Sequence, residues 1–294
     1  MRHIKKSVGL RAFEVSNNFV LIIISACMFL PFVIILATSL SSEASIIREG
    51  YTIWPREWSL DAYNFVMETN AIGRGYMISI FVTIVGTAIS VTITAMAGYA
   101  LSRNNLKYRN FFSLLFYFTM VFSGGLVPWY IMVARTLGLR DTIWALILPL
   151  CFNPFNMLLI RNFFKTLPDS VIESAKLDGA GELRIFLSVI LPISLPGMAT
   201  ITLFYMLAFW NDWWLSLLFI DDSTLYPLQF LLRQVLSNIQ ALTSGLARVV
   251  KISAIPKETV QMATSVITIG PIIFVYPFIQ RYFIKGLTVG AVKG

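Results

Sequence analysis

The chain has 294 residues, of which 57% are hydrophobic and 13% are charged, and its mean hydropathy is +0.74. Soluble domains carry about 25% charged residues, so this composition excludes an ordinary soluble domain and predicts an all-α protein with several membrane-spanning helices. The net charge of +8 does not indicate nucleic-acid binding, because the basic residues are concentrated beside the apolar runs.

The first 17 residues form a basic arm, which begins MRHIKKSVGLRAF and precedes a long apolar run. His3, the single histidine, belongs to this arm and is expected to be a solvated tail residue. No small-residue cleavage site follows the run, so we expect a retained first span rather than a signal peptide.

Six stretches are long and apolar enough to cross a bilayer, which requires about 20 residues each. The predicted spans are Asn18–Leu40, Tyr76–Leu101, Asn110–Val133, Ile143–Ile160, Ile185–Phe209 and Met262–Tyr282. The fourth span is the shortest and contains Pro149 and Pro154, which predicts an interrupted helix. For the same reason, Pro192 and Pro196 are expected to kink the fifth span.

Charge distinguishes the two sides of the membrane. The N-terminal arm, the connections 102–109 and 161–184, and the C-terminal end together carry a net charge of +9, whereas 41–75, 134–142 and 210–261 together carry −1. Because connections rich in Lys and Arg remain in the cytoplasm, both termini are predicted to be cytoplasmic. Residues 210–261 then form an external loop.

The predicted spans contain no Lys, Arg, Asp, Glu or His apart from Arg281, at the cytoplasmic end of the sixth. Proton-coupled and many ion-coupled carriers need ionisable groups within the membrane, so this absence disfavours an ion-coupled carrier and an intramembrane hydrolase. Cys27 and Cys151 lie in apolar runs and are expected to be small buried residues, with neither a disulfide framework nor metal-ligand spacing.

The 161–184 connection predicts a short helix on the cytoplasmic membrane surface. Ser170 and Glu173 have the spacing of a capping box, so the helix is expected to start near Val171 and to run to about Asp178. The glycines that follow can take the positive φ values that end a helix: Gly179 and Gly181.

Small side chains on this helix and just after it would let the backbone of another protein approach closely: Ser174, Ala175, Gly179 and Ala180. The alternative on shape alone is an ordinary connection between two spans.

This connection resembles the cytoplasmic signature of ABC importer permeases. That signature is Glu-Ala-Ala, three residues, Gly, nine residues, Ile, one residue and Leu-Pro. The chain has Glu-Ser-Ala at 173–175, Gly179, and Leu-Pro at 191–192 with the same spacing. It departs from the signature at Ser174, in place of Ala, and at Val189, in place of Ile.

The resemblance extends over residues 15–294. The six-span arrangement, WNDWWLSLLF after the fifth span and the C-terminal RYFIKGLTVGAVKG look like permeases of maltose-type carbohydrate importers. The stretch SGGLVPWYIMVARTLGLRDTIWALILP looks most similar to the branch that serves complex oligosaccharides, including acidic and plant-polysaccharide fragments.

The resemblance implies a type I importer transmembrane domain over residues 18–294, which forms half of a translocation pathway in a bacterial cell membrane. Separate ATPase subunits would bind ATP and Mg, and the chain itself would bind no cofactor and catalyse no reaction. This agrees with the absence of a Gly-x-x-x-x-Gly-Lys-Ser/Thr motif. The implied docking residues on the coupling helix are Glu173, Ser174, Ala175, Leu177, Asp178 and Gly179.

The implied partners are a second, non-identical permease, two ABC ATPase subunits, an extracytoplasmic solute-binding protein, an oligosaccharide and the lipid bilayer. The external loop 210–261 contains helical apolar spacing and would either contact the binding protein or fold as a lid over its own bundle. By resemblance, the tail 284–294 reaches between the two ATPase subunits.

Sugars are bound by aromatic faces and by side chains that form hydrogen bonds, which inside a bilayer are expected to face the bundle interior. Asn153 and Asn156 are three positions apart and are expected on one helical face. The predicted solute path comprises Asn153, Asn156, Tyr205, Trp210 and Asn211. An interfacial aromatic belt is the alternative for the tryptophans, and we favour it for Trp213 and Trp214.

Two further functions remain open at this point. One is an ABC importer permease for another polar solute, since the cytoplasmic signature alone would suit it. The other is a membrane sensor or scaffold that binds an ATPase without transporting a solute.

Overall fold

The computed structural model describes residues 8–67, 70–241, 256–270 and 273. These residues form helices joined by short connections, with a single isolated antiparallel bridge, between Ser41 and Trp58, among them. The chain divides into two compact units, Met1–Thr69 with Asn238–Ile269 and Asn70–Ser237 with Gly270–Gly294. The predicted helical fold class is confirmed for the part of the chain that is described.

The first unit begins with one long apolar helix and two short ones: α1 (Val8–Ser39), α2 (Glu43–Glu49) and α3 (Asp61–Met67). The most apolar 18-residue window of α1 has a mean hydropathy of 3.0 and contains no residue buried within the chain. Cys27 is therefore exposed, contrary to expectation, because this helix has no covered face there; Cys151 is buried as expected.

A carboxylate joins the two sequence segments of the first unit. Glu43 accepts hydrogen bonds from the backbone N–H groups of Glu258 and Thr259, at 3.0 and 2.9 Å, and from the Thr259 hydroxyl at 2.8 Å. These donors lie at the start of a helix over residues 257–270, whose first N–H groups have no partner within the helix. Glu43 thus caps that helix from a distant part of the sequence.

The α-helices of the second unit follow in chain order. They are α4 (Asn70–Ser102), α5 (Arg109–Val121), α6 (Leu126–Ile131), α7 (Pro154–Phe164), α8 (Asp169–Leu177), α9 (Glu182–Ile185), α10 (Leu191–Ile193), α11 (Leu195–Trp210), α12 (Trp214–Phe219) and α13 (Leu228–Ala241), whose last turn extends into the first unit. Single π-helical turns cover Met132–Thr136 and Phe186–Ile190, and 3-10 turns cover Ile143–Leu146, Leu148–Leu150 and Ser223–Leu225.

The first two predicted spans correspond to α1 and α4, each long and apolar enough to cross a membrane. The next three correspond to pairs of shorter helices with bends of 112°, 48° and 86°. The first bend follows Gly124 and Gly125, and the last lies between Pro192 and Pro196, as expected. Most of the sixth predicted span, 262–282, lies outside the described residues, so the count of six stays a prediction.

Helix α4 is central to the second unit, where it packs along α11 and α7. Glycines permit this close approach. A Cβ added at Gly86 would lie 2.7 Å from the ring of Phe209 on α11, and one at Gly98 would lie 2.6 Å from Ile160 Cγ2 on α7. One face of α4 is consequently buried against two other helices.

Two apolar clusters hold the second unit together. One surrounds Tyr205, Phe209 and Phe219, and the other surrounds Tyr99, Phe164 and Phe186. The second cluster also includes Ile172 of α8, so it anchors the short helix in the 161–184 connection.

Candidate functional site: the coupling helix and the solute path

The structure contains the predicted short helix in the 161–184 connection, as α8. It begins at Asp169, two residues earlier than expected, and the expected capping box is wrong. The residue before the helix is Pro168, which has no side-chain capping hydrogen bond, and Ser170 lies inside the helix with its carbonyl accepting from the Ser174 hydroxyl at 2.8 Å. Proline already fixes φ at this entrance, so a side-chain cap is not required.

The end of α8 matches the expectation at one glycine. Gly179 has a φ of +77°, and the N–H groups of Gly179 and Ala180 donate to the carbonyls of Lys176 and Ala175, both at 3.0 Å. This pair of hydrogen bonds is a Schellman motif, which satisfies the last carbonyls of a helix. Gly181 does not take a positive φ; at −72° it precedes α9 instead.

The two faces of α8 differ. Ile172 is only 4% exposed, whereas Leu177, the last residue of the helix, is 90% exposed. Of the predicted docking residues, Ala175 is half-buried and the others are exposed: Glu173, Ser174, Leu177, Asp178 and Gly179. The side chain of Leu177 is thus free to contact another molecule, and it lies next to small residues.

Polar contacts also attach α8 to the rest of the second unit. Lys176 forms an ion pair of 2.6 Å with Glu182, which in turn accepts a hydrogen bond of 2.9 Å from the Tyr99 hydroxyl. Arg103 and Asp169 form a longer ion pair of 3.8 Å at the other end of the helix. Tyr99 lies in the last turn of α4 and Arg103 directly follows that helix, so these contacts fix α8 to the end of α4.

The predicted solute-path residues separate into two groups. Three are nearly buried within the chain, with exposed fractions of 5% for Asn156, 2% for Tyr205 and 7% for Trp210. Two are exposed: Asn153 and Asn211. The expectation that Asn153 and Asn156 share one helical face is wrong, because Asn153 precedes α7 in an extended conformation and caps it.

Tyr205 connects three elements. Its hydroxyl lies 2.7 Å from Thr94 Oγ1 of α4 and accepts from the backbone N–H of Asn153 at 2.9 Å. The Asn153 side chain accepts from the N–H groups of Phe155 and Asn156, at 2.9 and 3.3 Å. Tyr205 and Asn153 thus fix the start of α7 against α4 and α11.

The segment after α11 surrounds Asn211 with polar contacts. Asn211 donates to the Leu207 carbonyl at 2.9 Å and lies 3.4 Å from Gln229 Nε2 of α13. The neighbouring Asp212 accepts from the N–H of Leu215 at 3.2 Å, and its burial raises the pKa of this carboxyl to about 6. This segment therefore combines amide, carboxyl and aromatic groups, as the sequence indicates.

Comparison with known proteins identifies the family. Residues 7–289 match the family described as binding-protein-dependent transport system inner membrane component. The chain belongs to this family. The family consists of membrane components of transport systems rather than enzymes, and the resemblance inferred from the 161–192 segment is confirmed.

Several members of the family are similar over nearly their whole length. The chain is 42% identical to the protein LplC of Bacillus subtilis (strain 168), over 97% of its own length and 96% of that relative. It is 40% identical to the polygalacturonan/rhamnogalacturonan transport system permease protein YtcP of the same strain, over 94% and 96%. A crystal structure of a bacterial ABC transporter involved in the import of the acidic polysaccharide alginate is similar with a TM-score of 0.81 and 30% identity, over 95% of this chain and 99% of that one.

A row of buried hydroxyls in this transport component was missed by the sequence reasoning. Hydroxyl side chains recur every three or four residues along α4, and all are buried: Ser79, Thr83, Thr87, Ser90 and Thr94. Ser79 accepts from the N–H of Leu228 at 2.9 Å, so the row connects α4 to α13 as well as to Tyr205. The helical period of Ser and Thr within an apolar span was the signal that could have found it.

A second missed feature is a turn formed by Asp141. This residue has a φ of +59°, and its carboxylate accepts from the N–H groups of Asp221 and Asp222, at 3.0 and 2.8 Å. Arg140 forms an ion pair of 2.7 Å with Asp221. The turn thus joins the 134–142 connection to the part of the 210–261 loop that follows α12.

Proposed function

We propose that the chain is a permease subunit that forms half of the translocation pathway of an ATP-driven oligosaccharide importer. The observation that carries this proposal is α8, a short helix with an exposed apolar end, fixed to the bundle on its other side. Family membership supports the same role, because a binding-protein-dependent system takes its energy from outside the membrane component.

The solute class is an oligosaccharide, with acidic polysaccharide fragments as the leading candidates. This rests on two of the similar proteins, one named for polygalacturonan and rhamnogalacturonan and one described as importing alginate. These polysaccharides are acidic, and their fragments carry many hydroxyl groups. The polar and aromatic side chains around Asn211 suit such a solute.

The proposed topology is multi-pass in the bacterial cell membrane, with six spans and both termini in the cytoplasm. The excess of basic residues on one side of the predicted spans supports it. In this orientation α8 faces the cytoplasm, and the Asp141 turn and α13 lie outside.

The proposed complex contains a second, non-identical permease, two ABC ATPase subunits and an extracytoplasmic solute-binding protein. The ATPase subunits bind ATP and Mg, and the exposed residues of α8 dock on them: Glu173, Ser174, Leu177, Asp178 and Gly179, with Ala175 at the edge. The ATP-driven movement of these subunits then displaces α8.

Within the proposed solute path, the exposed amides of Asn153 and Asn211 contact the solute. The buried residues Asn156, Tyr205 and Trp210 form the supporting wall. Asn211→Ala is expected to lower the apparent affinity for the solute in transport assays. Asn162→Ala is the matched control, because Asn162 is also an exposed asparagine but lies outside the proposed solute path, near the end of α7.

The first experiment is gentle purification of the chain from its native membrane, with identification of the proteins that co-elute. Recovery of a second permease and an ATPase, with ATP hydrolysis stimulated by oligogalacturonate in the presence of the binding protein, is the expected result. Recovery of the chain alone, or an ATPase that no solute stimulates, contradicts the proposal and favours a scaffold.

A further inference from the structure

Glu182, the first residue of α9, uses both of its carboxylate oxygens in contacts with other helices. Its Oε1 lies 2.6 Å from Lys176 Nζ, in the last turn of α8. Its Oε2 accepts from the Tyr99 hydroxyl at 2.9 Å, one turn before the end of α4. The carboxylate is therefore a direct link between the short cytoplasmic helix and the central helix of the bundle.

Tyr99 is held firmly at its end of this link. The side chain is 7% exposed, and its ring packs against Phe164 of α7 and against Phe186, just after α9, with ring centroids 6.2 and 5.2 Å apart. A displacement of the Tyr99 hydroxyl consequently has to move α4 together with this aromatic cluster, because close-packed interiors do not deform continuously.

The contacts of α8 follow a helical period. Asp169, Ile172 and Lys176 lie three and four positions apart, so they share the face that contacts the rest of the second unit. Glu173, Ser174 and Leu177 are exposed. The exposed residues of α8 thus differ from those that contact the bundle. Lys176, the residue that contacts Glu182, belongs to the bundle-facing set.

We propose that Glu182 is a positioning residue that transmits displacement of α8 to α4 through Lys176 and Tyr99. The inference rests on the proposed role of α8 in coupling. In this proposal the moving ATPase contacts the exposed face of α8 and displaces the helix. Glu182 transmits the displacement to the end of α4 without contacting the ATPase or the solute.

The link at Glu182 is stronger than the second polar link between α8 and α4. The ion pair between Arg103 and Asp169 is longer, at 3.8 Å, and the Asp169 side chain is 73% exposed. The Glu182 carboxylate has two charge-assisted hydrogen bonds, a short one of 2.6 Å with Lys176 and one of 2.9 Å with Tyr99, and such bonds are stronger than neutral ones. Loss of this link leaves α8 attached to the bundle by the longer Arg103–Asp169 pair and by the apolar contacts of Ile172 and Ala175, none of which involves the Tyr99 hydroxyl.

Two conservative variants separate this role from docking. Glu182→Gln removes the charge that pairs with Lys176, and Tyr99→Phe removes only the hydroxyl while keeping the packed ring. In the purified complex with its ATPase subunits and binding protein, each variant is expected to lower the stimulation of ATP hydrolysis by loaded binding protein about two- to fivefold, as for partly exposed ion pairs. The double variant is expected to resemble the worse single variant, because both act through one contact.

The affinity of the ATPase subunits for the permease is measured in parallel and is expected to stay unchanged. Lys107→Gln, which removes an exposed charge in the neighbouring 102–109 connection, is the control and is expected to behave like the wild type. A purely structural role would lower the thermal stability of both variants while leaving the stimulation ratio intact.

Wild-type stimulation in both variants overturns the inference. So does a loss of stimulation that follows a matching loss of ATPase affinity, since Glu182 would then belong to the docking surface. A wild-type complex that shows no stimulation overturns the proposed function and this inference with it. That result is distinct because it appears before any residue is changed.

Discussion

Tyr205→Phe tests whether the hydroxyl at the centre of the second unit is structural. The substitution keeps the ring, which is 2% exposed, and removes an oxygen that lies 2.7 Å from Thr94 Oγ1 and 2.9 Å from the Asn153 nitrogen. Each hydrogen bond has a net stabilising effect of about 0.5–1.5 kcal/mol, so the loss of both predicts a destabilisation of about 1–3 kcal/mol. Asn153 N–H would also lose its partner at the start of α7.

The assay is the fraction of purified complex that remains monodisperse after heating through a series of temperatures. Tyr117→Phe is the matched control, because that tyrosine is 56% exposed on α5. Removal of the Tyr117 hydroxyl is expected to leave the thermal stability unchanged. In a double-mutant cycle with Thr94→Val, the two sites are expected to be coupled by about 1 kcal/mol. Equal thermal stability of the Tyr205→Phe and Tyr117→Phe complexes, with lower solute affinity only in the first, would refute this reasoning.

Three further predictions concern backbone and turn geometry. Gly98→Ala should destabilise the complex by about 1–3 kcal/mol, because the added Cβ would meet α7. Gly73→Ala, which has open space around it, should be tolerated, and thermal melts of the two variants test this difference. Gly179→Ala, at a φ of +77°, should strain the end of α8 by about 1–2 kcal/mol and reduce stimulated ATP hydrolysis, and Gly181→Ala should not. Asp141→Ala should lower thermal stability more than Asp141→Asn, because Asn keeps both an acceptor oxygen and tolerance of positive φ; equal melting of the two variants would contradict a role for the carboxylate oxygen.

The sequence was most informative where a local pattern alone determines the structure. The apolar length of α1 and α4 was sufficient to predict both helices, because a bilayer sets the number of residues required. Gly179 was predicted to end α8 for a similar reason, since its conformation depends on the absence of a side chain. The Ser170 capping box failed because Pro168 already determines how the chain enters the helix.

The solute path was harder to predict because burial and pairing depend on distant elements. Nothing near Tyr205 in the sequence indicates that its hydroxyl would form hydrogen bonds with Thr94 and Asn153. Asn153 similarly matches a helical spacing with Asn156, yet it caps the helix instead of joining it, as asparagine often does. The contact between Glu182 and Tyr99 joins residues 83 positions apart and has no local signature either.

The absence of any buried residue in the most apolar window of α1 has a consequence for mutational tolerance. The described part of the chain buries none of those side chains, so exchanges among Leu, Ile, Val and Phe there should be neutral with respect to packing within that part. In α4, by contrast, one added methyl group at Gly86 meets the ring of Phe209. In a saturation scan of the native complex, any stripe of α1 positions that rejects such exchanges would therefore map the footprint of a neighbouring subunit.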